Sequence, residues 1–184
     1  LIVTAEDGGA VVAGRTHWIS DTLVFEPRRP LAREARYTAV VGTGARSAEG
    51  DAALDAEHTW RFRVAPAPKV VRTEPADGEQ GSKRLGDMGL RVHFNTPMDS
   101  GSITVTIQPT ITDQYQWWED DDRTLTVAGG WLASRAYTVT VPAASESRYG
   151  SPLGQDVVAR FSVAPMEPSV WLHTSGQFGL HDAR

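Results

Sequence analysis

The chain has 184 residues, of which 40% are hydrophobic and 22% charged, the balance of a globular protein rather than a disordered one. Its formal net charge of -5, with no basic cluster longer than Arg28-Arg29, argues against a nucleic-acid surface, and no apolar run approaches the about 18 residues that a spanning helix needs. The absence of cysteine removes disulfides, thiolate metal sites and thiol nucleophiles together.

From the N-terminus, Leu1-Ile2-Val3-Thr4 reads as the interior of a strand. It does not open on methionine, so the chain is expected to be a piece of a longer protein whose targeting segment lies elsewhere. Thr22–Phe25, Tyr37–Val41 and Trp60–Val64 follow as short β-rich runs between Gly, Pro, Asp and Ser clusters. Val64-Ala65-Pro66-Ala67-Pro68 is a linker whose two prolines leave little slack, which predicts a fixed, extended arrangement of what it joins. Beyond it, strands are expected near 69–74, 89–95, 102–108, 114–119, 123–128, 136–142 and 157–164. Tyr137-Thr138-Val139-Thr140-Val141 shows the period-two alternation best. Helix is expected at most as a turn near Leu31–Ala35 or Ser100–Ser102.

Residues 17–71 and 116–170 repeat one another. Trp18 answers Trp118, Leu23 answers Leu125, Tyr37 answers Tyr137, Gly50 answers Gly150, Phe62 answers Phe161 and Pro68 answers Pro168. A period of roughly 100 residues suits tandem β-sandwiches. The expected class is therefore all-β, with two immunoglobulin-like sandwiches: a partial one over 1–66, a complete one over 67–166, and a lead-in to a following domain over 167–184. The first copy starts where Ile103-Thr104-Val105-Thr106 lies in the second, at Leu1-Ile2-Val3-Thr4, and so lacks its two opening strands, which leaves unpaired edges.

"TEPADGEQG", "LRVHFNTPMDSGSITVTI", "DDRTLTVAGGWLASRAYTVTV" and "YGSPLGQDVVARFSVA" together resemble the bacterial Ig-like domain found in tandem in surface and envelope proteins. Pro75, Asp77 and Gly78 fit its opening Pro-x-Asp-Gly. Phe94, Pro97, Met98 and Asp99 fit its Phe-Ser-x-Pro-Met-Asp, with Asn95 in the serine place. Leu132 and Tyr137 fit a third motif that lacks its proline here, and Tyr149, Gly150 and Leu153 fit the last. In the first copy Leu23, Leu31, Tyr37, Gly50 and Leu54 match. The tail, "PSVWLHTSGQFGLHDAR", resembles the lead-in to the first macroglobulin domain of bacterial alpha-2-macroglobulins, which are periplasmic or cell-envelope protease traps.

The resemblance implies a non-catalytic structural module in a large exported protein of the periplasm or cell envelope. Its partners would be neighbouring domains of the same polypeptide, and proteases through the full-length protein; nucleic acid and direct membrane insertion are not implied. The alternative is an adhesive or carbohydrate-binding surface module. On the family reading Pro97-Met98-Asp99 is a structural corner: proline leaves the ladder, methionine fills an irregular gap, and aspartate bonds backbone N–H groups ahead of it. Tyr37 and Tyr137 resemble tyrosine corners, with ordinary half-buried packing as the alternative.

Three further features bear on chemistry. Asp120, Asp121 and Asp122, after Glu119, offer oxygen ligands for a hard cation, but lack the alternate spacing and distal glutamate of a calcium loop, so a solvated hairpin turn is the plainer reading. Trp117 and Trp118 must face opposite sides of a strand. With Trp131 and Tyr115 they suggest either a sugar-stacking surface or packing between domains. No histidines stand at metal-pair spacing, and neither a Gly-x-Ser-x-Gly elbow nor a phosphate loop occurs. The expectation is no enzymatic activity, no cofactor and no required metal.

Overall fold

Alternation dictates the architecture. In this computed structural model residues 1–47, 51–83 and 85–168 are described; Gly50, with its pairing to Gly150, and the tail from residue 169 onward lie outside the described residues. The first module contains β1 (Ile2–Ala5), β2 (Gly14–Ile19), β3 (Thr22–Pro27), β4 (Arg36–Val41) and β5 (His58–Arg63). The second contains β6 (Val70–Glu74), α1 (Leu85–Met88), β7 (Leu90–Phe94), β8 (Thr106–Gln108), β9 (Thr112–Glu119), β10 (Thr124–Gly130), β11 (Ala136–Val141) and β12 (Val157–Ser162).

The second module is a sandwich of two antiparallel sheets, ordered β6-β7-β10-β9 and β12-β11-β8. Leu90, Val92 and Phe94 point inward from β7, and Leu125 and Val127 from β10. Ile107, Tyr137, Val139, Val141 and Phe161 meet them from the other sheet. Each such side chain, removed from water, contributes about 1.5–3 kcal/mol. The first module repeats half of this plan: sheet β1-β4-β5 faces the lone hairpin β2-β3, around a small core of Val3, Tyr37 and Ala39.

Four expectations need correction. The helical turn lies at Leu85–Met88, where buried Leu85 joins the core, whereas 31–35 and 100–102 form no helix. Ile103 and Val105 are buried but unladdered; only Thr106–Gln108 pair with β11. The copies also align two residues further on: Val3 lies opposite Ala39 as Ile107 lies opposite Val139, so Val3 answers Ile107 rather than Val105. A slip of two keeps every side chain on its face, so alternation alone could not detect it. β9 begins two residues before the expected 114 and β10 ends two residues after the expected 128, and their pairing shifts register between Ala128 and Gly130.

Candidate functional site: the junction and its flanking faces

The corner after β7 is built from backbone bonds that its sequence makes available. Met98 is 1% exposed and lies in the core; its N–H donates to the Asp122 carbonyl at 2.9 Å. The Pro97 carbonyl accepts from Arg148 N at 3.0 Å. The Asp99 side chain accepts from Gly101 N at 3.0 Å, while the Asp99 N–H donates to the Glu146 carbonyl at 2.9 Å. The Ser102 hydroxyl closes the arrangement between the Asp99 carbonyl and Glu146 N. Asp99 thus has its acceptor turned to its own turn, an Asx-type use of the carboxylate.

The opening motif docks the other end of the module. Pro75 is fully buried. Asp77 accepts from Arg160 N at 2.7 Å, and Gly78 N donates to the Arg160 carbonyl at 2.6 Å. Gly78 has φ +83°, a left-handed backbone that glycine adopts at no steric cost. The tyrosines are tied in parallel ways. Tyr37 Oη accepts from Ala32 N at 3.0 Å and Tyr137 Oη from Leu132 N at 2.9 Å, each five residues upstream.

Between the modules the linker is held. Val64, Ala65 and Pro66 are half-buried and Pro68 is buried. Asn95 grips the chain on both sides of Pro68: its Oδ1 accepts from Lys69 N at 2.8 Å, and its Nδ2 donates to the Ala67 carbonyl at 2.9 Å. The Asn95 N–H adds a bond to the Lys69 carbonyl at 3.2 Å. Arg33 reaches across to Ser151 Oγ at 3.2 Å. A crevice of about 770 Å³ separates the modules, lined by Leu31, Val64, Pro66, Pro97, Arg123 and Tyr149 among others. Asn95 had been read only as a stand-in for serine. Its exchange for serine was the available signal, because an amide can donate and accept at once and a hydroxyl is too short to span both partners.

The acidic turn faces an arginine. Asp120, Asp121 and Asp122 all have positive φ, near 54°, 50° and 57°. Arg148 bonds Asp122 Oδ2 at 2.5 Å and Asp121 Oδ1 at 3.0 Å, and Arg123 lies 3.6 Å from Asp121. Among the described residues no group of three or more His, Asp or Glu side chains is arranged to hold a metal ion.

The tryptophans separate. Trp118 turns inward against Phe94, with ring centroids 5.8 Å apart. Trp131 is also half-buried, edge-on to Tyr137 at 4.9 Å, so it cannot join an exposed platform. It follows β10, a strand buried from Thr124 to Val127. Trp117 remains outside, stacked on Tyr115 at 5.6 Å with ring planes 21° apart. These two rings border a cavity of about 340 Å³ reached also by Leu85, Met88 and Asp113.

The same outer face of the sheet carries a charge ladder that sequence reasoning missed. Arg91 forms an ion pair with Glu119, and the Trp117 indole donates to Glu119 at 3.0 Å. These hydrogen bonds, Trp117's first, hold the Glu119 carboxyl below its ordinary range. His93 lies between Thr124 Oγ1 at 3.1 Å and Glu74 Oε1 at 3.4 Å. Burial lowers its pKa, with Arg72 and Arg91 adding to the effect and Glu74 opposing it. The ladder shields buried Thr124 and Thr126 from water. Its members are tied to one another by ion pairs and hydrogen bonds that cover the outer face of the sheet.

A family model described as bacterial Ig-like domain matches residues 1–64 and again residues 65–163. No curated protein matches the chain.

Proposed function

Because the chain belongs to the bacterial Ig-like domain family, we propose that it is a non-catalytic spacer: two modules of a large exported protein, held in one arrangement so that flanking domains keep a fixed spacing. Domains of this family typically occur in surface or exported bacterial proteins, and among the described residues no helix is long and apolar enough to cross a membrane. The observation that carries the reading is the Asn95 grip on Ala67 and Lys69 around a buried Pro68. A rigid linker transmits position, whereas a flexible one transmits only a tether.

The test is small-angle scattering of the chain and of Asn95→Ala. The spacer reading expects one compact set of interdomain distances that widens in the variant. A broad range in the unchanged chain contradicts it.

We assign the parent protein to the alpha-2-macroglobulin-like protease inhibitors. What supports this is the resemblance of residues 168–184 to the macroglobulin lead-in. The partners are then neighbouring domains of the same polypeptide, with proteases engaged only through the full-length protein in the periplasm or cell envelope. Protease capture by the full-length protein, and none by these 184 residues alone, is the expected result; a full-length protein that captures none refutes the assignment. The second reading, a carbohydrate-binding surface module, is favoured by the exposed Tyr115–Trp117 stack. It predicts quenching of Trp117 fluorescence by an oligosaccharide, with loss of that response in Trp117→Ala.

A further inference from the structure

The corresponding hairpins of the two modules finish their outer faces differently. Hairpin β2-β3 answers β9-β10, because Trp18 lies opposite Leu23 as Trp118 lies opposite Leu125. In that register Arg15 and His17 stand where the second module has Tyr115 and Trp117, and Glu26 stands where it has Ala128. Arg15 bonds Glu26 Oε2 at 2.7 Å, so the first module finishes this face with an ion pair. The second sets two aromatic rings there instead, Tyr115 61% and Trp117 37% exposed. One fold accepts either surface, so the rings answer no need of the sandwich itself.

The rings are held in place. The Trp117 indole donates to Glu119, itself paired with Arg91, and Tyr115 stacks on Trp117. Beside them the strand pairing shifts, so that Asp113 and Gln114 together face Gly129. Such a bulge re-aims side chains, and Asp113, at φ +50°, lines the same cavity of about 340 Å³ as both rings. Ala128, Gly129 and Gly130 line it too, with nothing larger than a methyl group. Among the described residues the Asp113 carboxylate has no ion-pair partner, whereas Glu119 is taken by Arg91. A pre-formed hollow with an aromatic wall, a lining of small residues and one uncommitted carboxylate is built to orient a ligand.

We propose, on the basis of the carbohydrate-binding reading of this face, that the hollow takes a glycan whose sugar units carry free amino groups. The apolar C–H face of a pyranose packs on an aromatic ring, which Tyr115 and Trp117 offer. Asp113 sets the charge. A protonated amine pairs with its carboxylate and is attracted to a neighbouring ring face, whereas an N-acetyl group lacks that charge and an acidic sugar is repelled. Among the described residues none that lines this hollow lines the crevice between the modules, so binding here and the rigid junction are separate properties.

The test is calorimetric titration of the chain with glucosamine tetramer, its fully N-acetylated form and cellotetraose, which share one linkage, at a pH where the amines are charged. Expected is binding of the glucosamine tetramer about two- to fivefold tighter than of either neutral chain, the span of one exposed ion pair. Asp113→Asn should erase that advantage and leave the neutral chains bound as before; asparagine tolerates the left-handed backbone as aspartate does, so the hairpin keeps its shape. Tyr115→Ala should weaken all three by about two- to tenfold. Equal affinity for all three, or an advantage kept in Asp113→Asn, overturns the proposal and leaves the carbohydrate reading standing. Binding of none overturns both. Tetralysine bound as tightly as the glucosamine tetramer overturns the assignment to a glycan.

Discussion

Replacing Tyr137 with phenylalanine removes one oxygen and leaves the ring. The ring is 2% exposed and touches Trp131 edge-on at 4.9 Å and Phe161 at 6.2 Å. The hydroxyl accepts from Leu132 N at 2.9 Å, so the change deletes that bond and strands its donor. A net hydrogen bond contributes about 0.5–1.5 kcal/mol, and a fully buried orphan donor costs about 1–3 kcal/mol. Leu132 is exposed, so water can reach its N–H after the change, and the lower range applies. The expected loss for Tyr137→Phe is therefore about 1 kcal/mol, a fall in Tm of about 4–8 °C for a domain of this size. Tyr137→Leu should lose considerably more, because the ring contacts go as well. The assay is urea unfolding followed by circular dichroism, with the midpoint compared at constant m. A Tyr137→Phe midpoint equal to the parent's would refute the hydroxyl's part and reduce the corner to ring packing.

Met98→Ala should cost about 2–5 kcal/mol, since a side chain 1% exposed leaves a cavity in the core; a loss below about 1 kcal/mol in the same urea assay would mean that the corner collapses around the gap. Thermal melts with millimolar calcium and with chelator should superimpose, because Arg148 already occupies Asp121 and Asp122. A site filled at a hundredfold excess over Kd would instead raise stability by about 2.7 kcal/mol, and a calcium-dependent rise lost in Asp120→Asn/Asp122→Asn would contradict the solvated turn. His93 has a folded pKa below its unfolded value, so the unfolded chain takes the proton more readily. Its contribution is complete above about pH 6.5 and declines as pH falls from there toward the folded pKa. Urea midpoints across that window should fall in the parent chain and fall less in His93→Gln; equal slopes would sink the assignment.

Strand existence was legible in the sequence because half-buried strands write their faces as alternation, as Leu90–Phe94 and Tyr137–Val141 do. Register was less legible. Leu1–Thr4 fits Ile103–Thr106 as well as the true partner two residues later, because both placements keep the same face inward. The turn at Leu85–Met88 was too short to display a helical period. The grip of Asn95 on Lys69 spans 26 residues, and Arg148 meets the acidic turn from 26 and 27 residues away. Such partners are set by how strands are ordered, which local pattern does not encode. Trp131 stands close to Trp117 in sequence, which suggests a shared surface, yet it packs edge-on against Tyr137 while Trp117 stacks on Tyr115. Asp99 was read as a structural carboxylate from its place beside proline and methionine, and it accepts from Gly101 N within its own turn.

The central claim is that the two modules form a rigid spacer. With no native cysteine to interfere, one cysteine can be introduced in each module, at exposed Asp55 and Gln155, for paired spin labels. Pulsed dipolar spectroscopy then reads the distribution of distances between them. A rigid spacer gives one narrow distribution that broadens when Asn95→Ala releases Ala67 and Lys69. A broad or multiply peaked distribution in the chain with Asn95 intact would contradict it.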